Sequence, residues 1–464
     1  MAKWLRRMAV GLAISLAGLP ARAETLTDAL ISAYKNSHLL DQNEAVLRAA
    51  DEDFAIAVSA LRPVISYVLS AGTTWTRADT LGVTTNTDVL SASLGISADL
   101  VLYDFGRREA AILIARESVL ATRQALVQVE QNVLLAAVQA YVDVKLSSEI
   151  VALRQSNVRL ITQELRAAQD RFDVGEITKT DVSIAEARLA AARANLAAAE
   201  GDLMIARESY KAATGHYPGH LAALPRSPKI GKTLEEARSV AVRSHPSILQ
   251  GQHLVKAADG QVALADADMK PTIGLGLDVT ASSRDGDGTD SDALSAQLGL
   301  QMNQTIYAGG RLSALYRKAL ANKEASRAGL MQTVVSVEQN LGNAWANLAV
   351  FVASIEASDR QIRAAQAAFD GVREEATLGA RTTLDVLDAE QELLDARASR
   401  LEAEANRYVA VYRILAAMGL LTAEHLKLGI PTFDPEAYFN AVKAAPATSS
   451  RGKKLDEILS KIGK

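Results

Sequence analysis

The chain is one unit written twice. Thr25-Leu26 recurs 208 positions later as Thr233-Leu234, and Pro63, in RPVISYVL, recurs at the same offset as Pro271, in KPTIGLGL. Further along the offset becomes 204: SLGI (93–96) matches QLGL (297–300), YDFGRR (103–108) matches YAGGRL (307–312), Gly175 pairs with Gly379, Asp181 with Asp385 and Gly215 with Gly419. One loop between Pro63/Pro271 and Leu94/Leu298 therefore differs in length by four residues. A period near 200 residues is far too long for a solenoid. The reading that follows is a first repeat over 24–225, a second over 226–430, a seam in the Pro/Gly-bearing stretch 215–231, and a C-terminal extension over 431–464.

Each repeat opens with a helical pattern, over 26–61 and 234–269, that ends at a proline. Proline stops a helix and sits well where a strand starts. Alternation then begins. Ile65, Tyr67, Leu69 and Ala71 oppose Ser66, Val68, Ser70 and Gly72; Leu90, Ala92, Leu94, Ile96, Ala98 and Leu100 oppose Ser91, Ser93, Gly95, Ser97 and Asp99. In the second repeat Ile273, Leu275, Leu277 and Val279 oppose Thr272, Gly274, Gly276 and Asp278, and Leu294 to Met302 alternate with Ser295 to Asn303. Period two over about ten residues, with one apolar face and one small or polar face, is the pattern of a membrane barrel strand. The polar faces carry Ser, Gly, Gln and Asn, with Asp99 and Asp278 as expected lumen residues. The stretches 77–88 and 281–292 read as long polar loops.

Four strands do not close a barrel, and open edges are not tolerated in lipid. Known membrane barrels start at about eight strands. Each copy must therefore donate four strands to a shared wall. Two copies would supply eight and three would supply twelve, and the pattern itself does not choose.

After each hairpin comes a very long helical pattern. Residues 105–171 contain no proline and one glycine, Gly106, at the start. Ile112, Val119, Leu126, Val133 and Ala140 are seven apart, with Ala115, Thr122, Val129 and Ala136 as companions. This is a coiled-coil seam, on a helix of about 100 Å at 1.5 Å per residue. After Asp181 a second seam follows: Val182, Leu189, Leu196, Leu203 and Tyr210, accompanied by Ala185, Ala192, Ala199, Ala206 and Ala213. The second repeat carries Leu387, Leu394, Leu401, Tyr408 and Leu415, one residue out of phase with the first under the 204 offset.

Composition and the N-terminus narrow the setting. Cysteine is absent, which excludes disulfides, thiolate metal sites and a thiol nucleophile. The net charge of −4 does not suit a general nucleic-acid binder. Lys3, Arg6 and Arg7 precede an apolar stretch, Met8 to Leu19, and the small-x-small site Ala21-Arg22-Ala23. This is a secretory signal over residues 1–23, too short to span a membrane as a helix. Its removal starts the mature chain at Glu24 and takes the charge to −8.

These ordered parts resemble the TolC family of outer-membrane efflux and secretion ducts. The resemblance rests on the export signal, the doubled helix–strand–strand–helix unit, the junctions Gly106-Arg107 and Gly310-Arg311, and the motifs VGEITKTDV (174–182) and LGARTTLDVLDAE (378–390). The ending DPEAYFNAVKAAP (434–446) is similar to the type I protein-secretion branch. The resemblance implies a mainly helical chain with a membrane β-barrel portion. It implies a homotrimer that closes a twelve-stranded barrel in the outer membrane and continues into a periplasmic helical tunnel. The implied partners are a periplasmic adaptor (membrane fusion) protein and an inner-membrane ABC or proton-driven exporter. A non-pore structural coiled-coil protein of the periplasm is the alternative, and cargo, protein or small molecule, stays open.

The resemblance also assigns residues. Val174-Gly175 and Leu378-Gly379 break the paired long helices, and glycine suits the left-handed turn geometry there. In the family these turns form the tunnel tip and its adaptor-docking surface. Asp385 and Asp388, three apart on one helical face, match the family's constricting aspartates. Rings of carboxylate favour cations. Acids in a first helical turn also complement the helix dipole, so a purely structural role is open as well. Arg381 matches a gate arginine, with Thr180 and Asp181 as its latch partners, and Thr180 and Asp181 also read as an N-cap. The chain departs from the family at Ala376, where a gate tyrosine is common.

Little else suggests chemistry, and neither an enzyme nor a cofactor is expected. His216 and His220 flank Pro218-Gly219, which argues against a helical metal pair. DGDGTDSD (285–292) is similar to a calcium loop but has Ala296 where the twelfth-position glutamate belongs, so a surface hairpin loop is expected. The tail beyond Ala444, with Ser449, Ser450, Lys453 and Lys454, reads as mobile.

Overall fold

The computed structural model describes residues 23–286 and 290–444. The expected signal segment, the centre of the DGDGTDSD loop and the tail with Ser449, Ser450, Lys453 and Lys454 lie outside the described residues, save Ala23. In chain order the elements are α1 (Leu26–Asn36), α2 (His38–Ser59), β1 (Val64–Thr80), β2 (Val83–Tyr103), α3 (Arg107–Asp173) and α4 (Lys179–Thr214), then α5 (Leu234–Ser244), α6 (Pro246–Ala267), β3 (Thr272–Asp285), β4 (Ser291–Asn303), α7 (Arg311–Thr377), α8 (Thr383–Ala417) and α9 (Pro435–Val442). The repeat is thus visible element by element. Each opening helical pattern is interrupted once, at Ser37 and at His245, where the backbone is extended. Among the described residues no helix is long and apolar enough to cross a membrane.

The chain forms two compact units, and both draw on both repeats. One comprises the described residues up to Asn43, with Val127–Pro246 and Val334–Thr432; the other comprises Glu44–Leu126, Ser247–Thr333 and the described residues from Phe433.

The second unit carries a four-stranded antiparallel sheet in the order β1-β2-β3-β4. The register carries apolar rows and polar rows across strand boundaries. Tyr67, Ile96, Val279 and Ala296 form one cross-strand row, and Ser66, Ser97, Asp278 and Gln297 form the next. Because side chains alternate, a one-residue slip would invert every row. The apolar face is not covered by the described residues: Tyr67, Leu69, Leu294, Leu298 and Leu300 are all exposed.

The expected long loops are corrected. β1 and β2 continue through 77–88 and join at Leu81-Gly82, both at positive φ (53° and 82°), with Thr80 paired to Val83. Two central residues at positive φ are the geometry whose twist matches a hairpin. The threonine-rich flanks, β-branched and able to hydrogen-bond across strands, suit extended pairing as well as they suit a loop. In the second repeat the strands likewise extend to Asp285 and from Ser291, which shortens the expected connection.

This unit also holds the C-terminal helix. Phe439 packs 5.0 Å from Phe54, the Arg123 guanidinium lies 5.2 Å from the Phe439 ring centroid, and the Tyr438 hydroxyl donates to Glu52 at 2.6 Å.

In the first unit the helices pack through narrow seams. α4 buries Ala185, Ala192, Ala199 and Ala206 along with Leu189 and Tyr210, the line expected from the heptads. Alanine there lets neighbouring backbones approach closely. The phase offset of the second repeat also resolves. Ile161, Ala185, Leu189 and Ala192 form one apolar cluster of α3 and α4; Ala365, Phe369, Val386 and Leu393 form its counterpart of α7 and α8. Ile161 and Leu189 map onto Ala365 and Leu393 at the 204 offset, so the true equivalents are in phase. Leu387 instead joins the first-repeat cluster. α8 therefore buries two adjacent stripes, and the more conspicuous leucine run is the one that faces the other repeat.

Two further features tie this unit together. Asn36 Nδ2 donates to the Thr214 carbonyl at 2.8 Å, and Ser244 Oγ donates to the Met418 carbonyl at 2.9 Å. These bonds are repeat-equivalent and secure the ends of α4 and α8. Each is followed by a glycine at positive φ, Gly215 (87°) and Gly419 (78°). The second feature is a buried carboxyl. Glu390, 7 % exposed, accepts from Asn157 Nδ2 at 2.7 Å through Oε1, and its Oε2 has no partner among the described residues. Burial pushes its pKa up to about 7, opposed by the Asn157 bond and assisted by the charge of Glu164.

A Cβ at Gly419 would lie 2.7 Å from His245 Cα and 2.8 Å from the Ser244 carbonyl, whereas at Gly215 it would meet only the Asn36 side chain. Gly419→Ala is therefore expected to destabilise by about 2 kcal/mol or more, and Gly215→Ala by less, as read from melting of the detergent-purified protein. Glu390 holds its proton in the native state between about pH 4.5 and 7, so it contributes stability at low pH that is lost as pH rises through 7. Glu390→Gln is expected to flatten this dependence and to melt higher than wild type at pH 8; equal pH profiles for the two proteins would refute it.

Candidate functional site

The two turns between paired long helices are built alike. After α3, Gly175 (φ 82°) donates to the Phe172 carbonyl at 2.9 Å and Glu176 to the Arg171 carbonyl at 2.9 Å. After α7, Gly379 (φ 78°) donates to the Ala376 carbonyl at 3.1 Å and Ala380 to the Glu375 carbonyl at 2.9 Å. Both are helix stops of the Schellman type, where a left-handed residue lets the chain satisfy the last carbonyls. They leave Val174 and Leu378 projecting, 73 % and 79 % exposed. Ala376 is buried against Phe369 and Val386, so the small residue at this position belongs to the core of the turn.

Each following helix starts with a capping box. The Thr178 amide and hydroxyl donate to Asp181 Oδ2 at 2.9 and 2.7 Å. The Thr382 amide and hydroxyl donate to Asp385 Oδ2 at 2.9 and 2.8 Å, and the Asp385 amide donates back to Thr382 Oγ1 at 3.2 Å. These donors hold both aspartate carboxyls below the usual carboxylate range, chiefly through the threonine hydroxyl at Asp181 and the threonine amide at Asp385. The expected N-cap at Thr180 and Asp181 is thus corrected: Thr178 is the N-cap, with Asp181 as its third-position partner, because the box needs the hydroxyl three residues before the carboxylate, and Thr382 and Asp385 repeat the arrangement. Thr180 lies exposed in the first turn of α4.

The structure does not join Arg381 to Asp181 within one chain. Arg381 Nε donates to Glu375 Oε2 at 2.8 Å, and that contact, with the nearby Asp385 charge, holds its guanidinium pKa up. Asp388 has a partner of its own, Arg188 of α4, whose Nη2 lies 2.6 Å from Asp388 Oδ1. Neither Glu375 nor Arg188 was marked by sequence reasoning. Glu375 falls on the preceding helix end, and Arg188 is 200 residues from Asp388, with no local spacing to signal the contact.

On the sheet, Asp99 and Asp278 share the small and polar face. A Cβ placed on Gly276 would lie 3.6 Å from Asp99 Oδ1 and 4.0 Å from Asp278 Oδ2, so both carboxylates flank a glycine floor. Gly274, Gly276 and Gly299 with Gln297, Gln301 and Asn303 complete this shallow polar surface. Among the described residues no group of three His, Asp or Glu side chains is placed to hold a metal ion. His216 instead meets Glu24 at 2.9 Å, beside Tyr210.

The family described as Outer membrane efflux protein matches residues 29–216 and 237–420, that is, both repeats. The chain is 38 % identical over 435 residues to outer membrane efflux protein BepC of Brucella suis biovar 1 (strain 1330), covering 92 % of each chain. It is 26 % identical over 475 residues to outer membrane protein TolC of Escherichia coli (strain K12), covering 98 % of this chain and 94 % of the relative. Its fold matches the crystal structure of CusC with a TM-score of 0.76 at 20 % identity, over 86 % of this chain and 92 % of that one. A doubled helix–strand–strand–helix chain with two capped turns and an exposed four-stranded sheet thus agrees in sequence and in fold with one set of proteins, and the chain belongs to the outer membrane efflux protein family.

Proposed function

We propose that the protein is the outer-membrane conduit of a three-part export assembly, working as a homotrimer and carrying no catalytic or cofactor chemistry of its own. The observation that supports this best is the sheet. Among the described residues β1 and β4 each pair on one side only, and the apolar face is uncovered. In an outer membrane the lipid would cover that face, and β1 of one copy would pair with β4 of the next until the wall closes. Three copies give twelve strands, with Asp99 and Asp278 facing the lumen.

The helical part then forms a periplasmic tunnel. Its tip is made by Val174, Gly175, Leu378 and Gly379, exposed apolar and turn residues suited to an adaptor protein. Asp385 and Asp388 ring the constriction. Arg381 of one copy latches to Thr180 and Asp181 of its neighbour, in competition with the Glu375 contact inside its own chain. Each such exposed pair is weak and salt-sensitive, so the latch is a sum over copies. An adaptor and an inner-membrane pump, ABC or proton-driven, supply the free energy by binding the open tip better than the closed one. The C-terminal helix, on the DPEAYFNAVK segment, favours protein as cargo.

Two outcomes test this. The chain has no cysteine, so single cysteines placed in β1 and β4 of the same chain are expected to yield disulfide-linked dimers and trimers on oxidation; recovery of monomer alone across a scan of positions refutes shared-wall closure. In planar bilayers the purified protein is expected to give cation-preferring steps, and Asp181→Asn with Arg381→Gln is expected to enlarge them. Steps of unchanged size in that double variant would refute the latch.

A further inference from the structure

The proposed constriction carries two aspartates, and their surroundings differ. Asp385 takes its hydrogen bonds from neutral donors, the Thr382 amide and hydroxyl, and feels the Arg381 charge only at a distance, since Arg381 makes its direct contact with Glu375. Asp388 faces a full positive charge, with Arg188 Nη2 at 2.6 Å from its Oδ1. The contact is fixed from below. Ala185, Leu189 and Ala192 of α4 pack with Leu387 of α8 and Ile161 of α3 in one cluster. Arg188 adjoins Leu189 and Asp388 adjoins Leu387, so the packed layer delivers both charged groups to the same point. Both remain accessible to water, with side chains 43 % and 56 % exposed.

The repeat sharpens the point. At the 204 offset Asp385 has its counterpart in Asp181, in the same capping box. Asp388 corresponds to Ile184, and Arg188 corresponds to Glu392. One half thus supplies the cation and the other the acid at one interface, between α4 and α8, and the repeat-equivalent positions Ile184 and Glu392 form no such pair. Asp181 and Asp385 are explained as caps; the Arg188–Asp388 pair is not required by helix termination in either repeat.

From this we infer that Arg188 is a selectivity-determining residue, which cancels the Asp388 charge and so lowers the net negative charge that each protomer presents to small permeating ions. The inference rests on the reading of Asp385 and Asp388 as tunnel-lining groups. An ion in the constriction responds to net charge within a Debye length, so pairing on the wall lowers the cation preference that two bare carboxylates would give. The duct would thus be moderated in its preference for cations and more permissive to anionic cargo than its two aspartates alone suggest.

The test is the reversal potential of the full-length protein in planar bilayers under a KCl gradient at low salt. Arg188→Gln is expected to raise the K+ to Cl− permeability ratio roughly twofold to fivefold. Arg188→Lys, which keeps the charge, is expected to stay near wild type. Arg188→Gln with Asp388→Asn is expected to return to the wild-type ratio, because the net charge is restored. Asp385→Asn and Asp388→Asn alone are expected to lower the ratio. If both single Asp variants lower it while Arg188→Gln leaves it unchanged, the inference is overturned and the constriction stands. If none of the three single charge-removing variants moves it, the tunnel-lining reading falls and takes the inference with it. Wild-type oligomer on a native gel is the folding control for each variant.

Discussion

Backbone N–H and C=O groups left unpaired in hydrocarbon each cost several kcal/mol, and a four-stranded sheet has two edges full of them. β1 and β4 are such edges, 17 and 13 residues long, attached to an apolar face that the described residues do not cover. Most of the rest follows from the need to relieve this. A chain placed in an outer membrane with open edges has to find another copy. Helices attached to those strands are then brought together in the same number of copies, and their narrow alanine-lined seams suit close packing.

The two repeats show how a symmetric plan acquires asymmetric function. Asn36 to Thr214 and Ser244 to Met418 are the same bond made twice, and Gly215 and Gly419 end their helices the same way. The capping boxes of Asp181 and Asp385 are likewise copies. Divergence falls on the second stripe of α8. Leu387 engages the first repeat, Asp388 meets Arg188, and Glu390 is buried against Asn157 of α3. α4 has no comparable second stripe, which is consistent with Ile184 standing where Asp388 would be.

Much of the fold could be read from residue order because it rests on short-range rules. Alternation at Leu90 to Leu100, the prolines Pro63 and Pro271, and the glycines Gly175 and Gly379 each act through a few neighbouring positions. The repeat multiplied the signal, since a weak pattern seen twice at one offset is no longer weak. What escaped was of two kinds. The Leu81-Gly82 hairpin was hidden because threonine-rich sequence serves a strand or a loop equally well, and a leucine at positive φ is uncommon. The break at Ser37 was hidden because no glycine or proline marks it, whereas the break at His245 carried a signal that was passed over, the proline at 246 that forces the preceding residue out of the helical region. Arg188, Glu375 and the second stripe of α8 were invisible for a deeper reason. They depend on which helix lies beside which, and the heptad that caught the eye, Leu387 to Leu415, turned out to report a neighbour from the other half of the chain.

Both hairpin ends are closed by their own hydrogen bonds: left-handed glycine, two carbonyls answered, a threonine–aspartate box immediately after. Each is a finished corner that borrows nothing from elsewhere. Swinging such a corner sideways breaks none of its internal bonds, so the helix ends can move as stiff levers while the turns ride along intact. If these corners stand at the mouth of the proposed duct, that mouth can widen without local melting, its sensitivity left to the charges and apolar side chains displayed there.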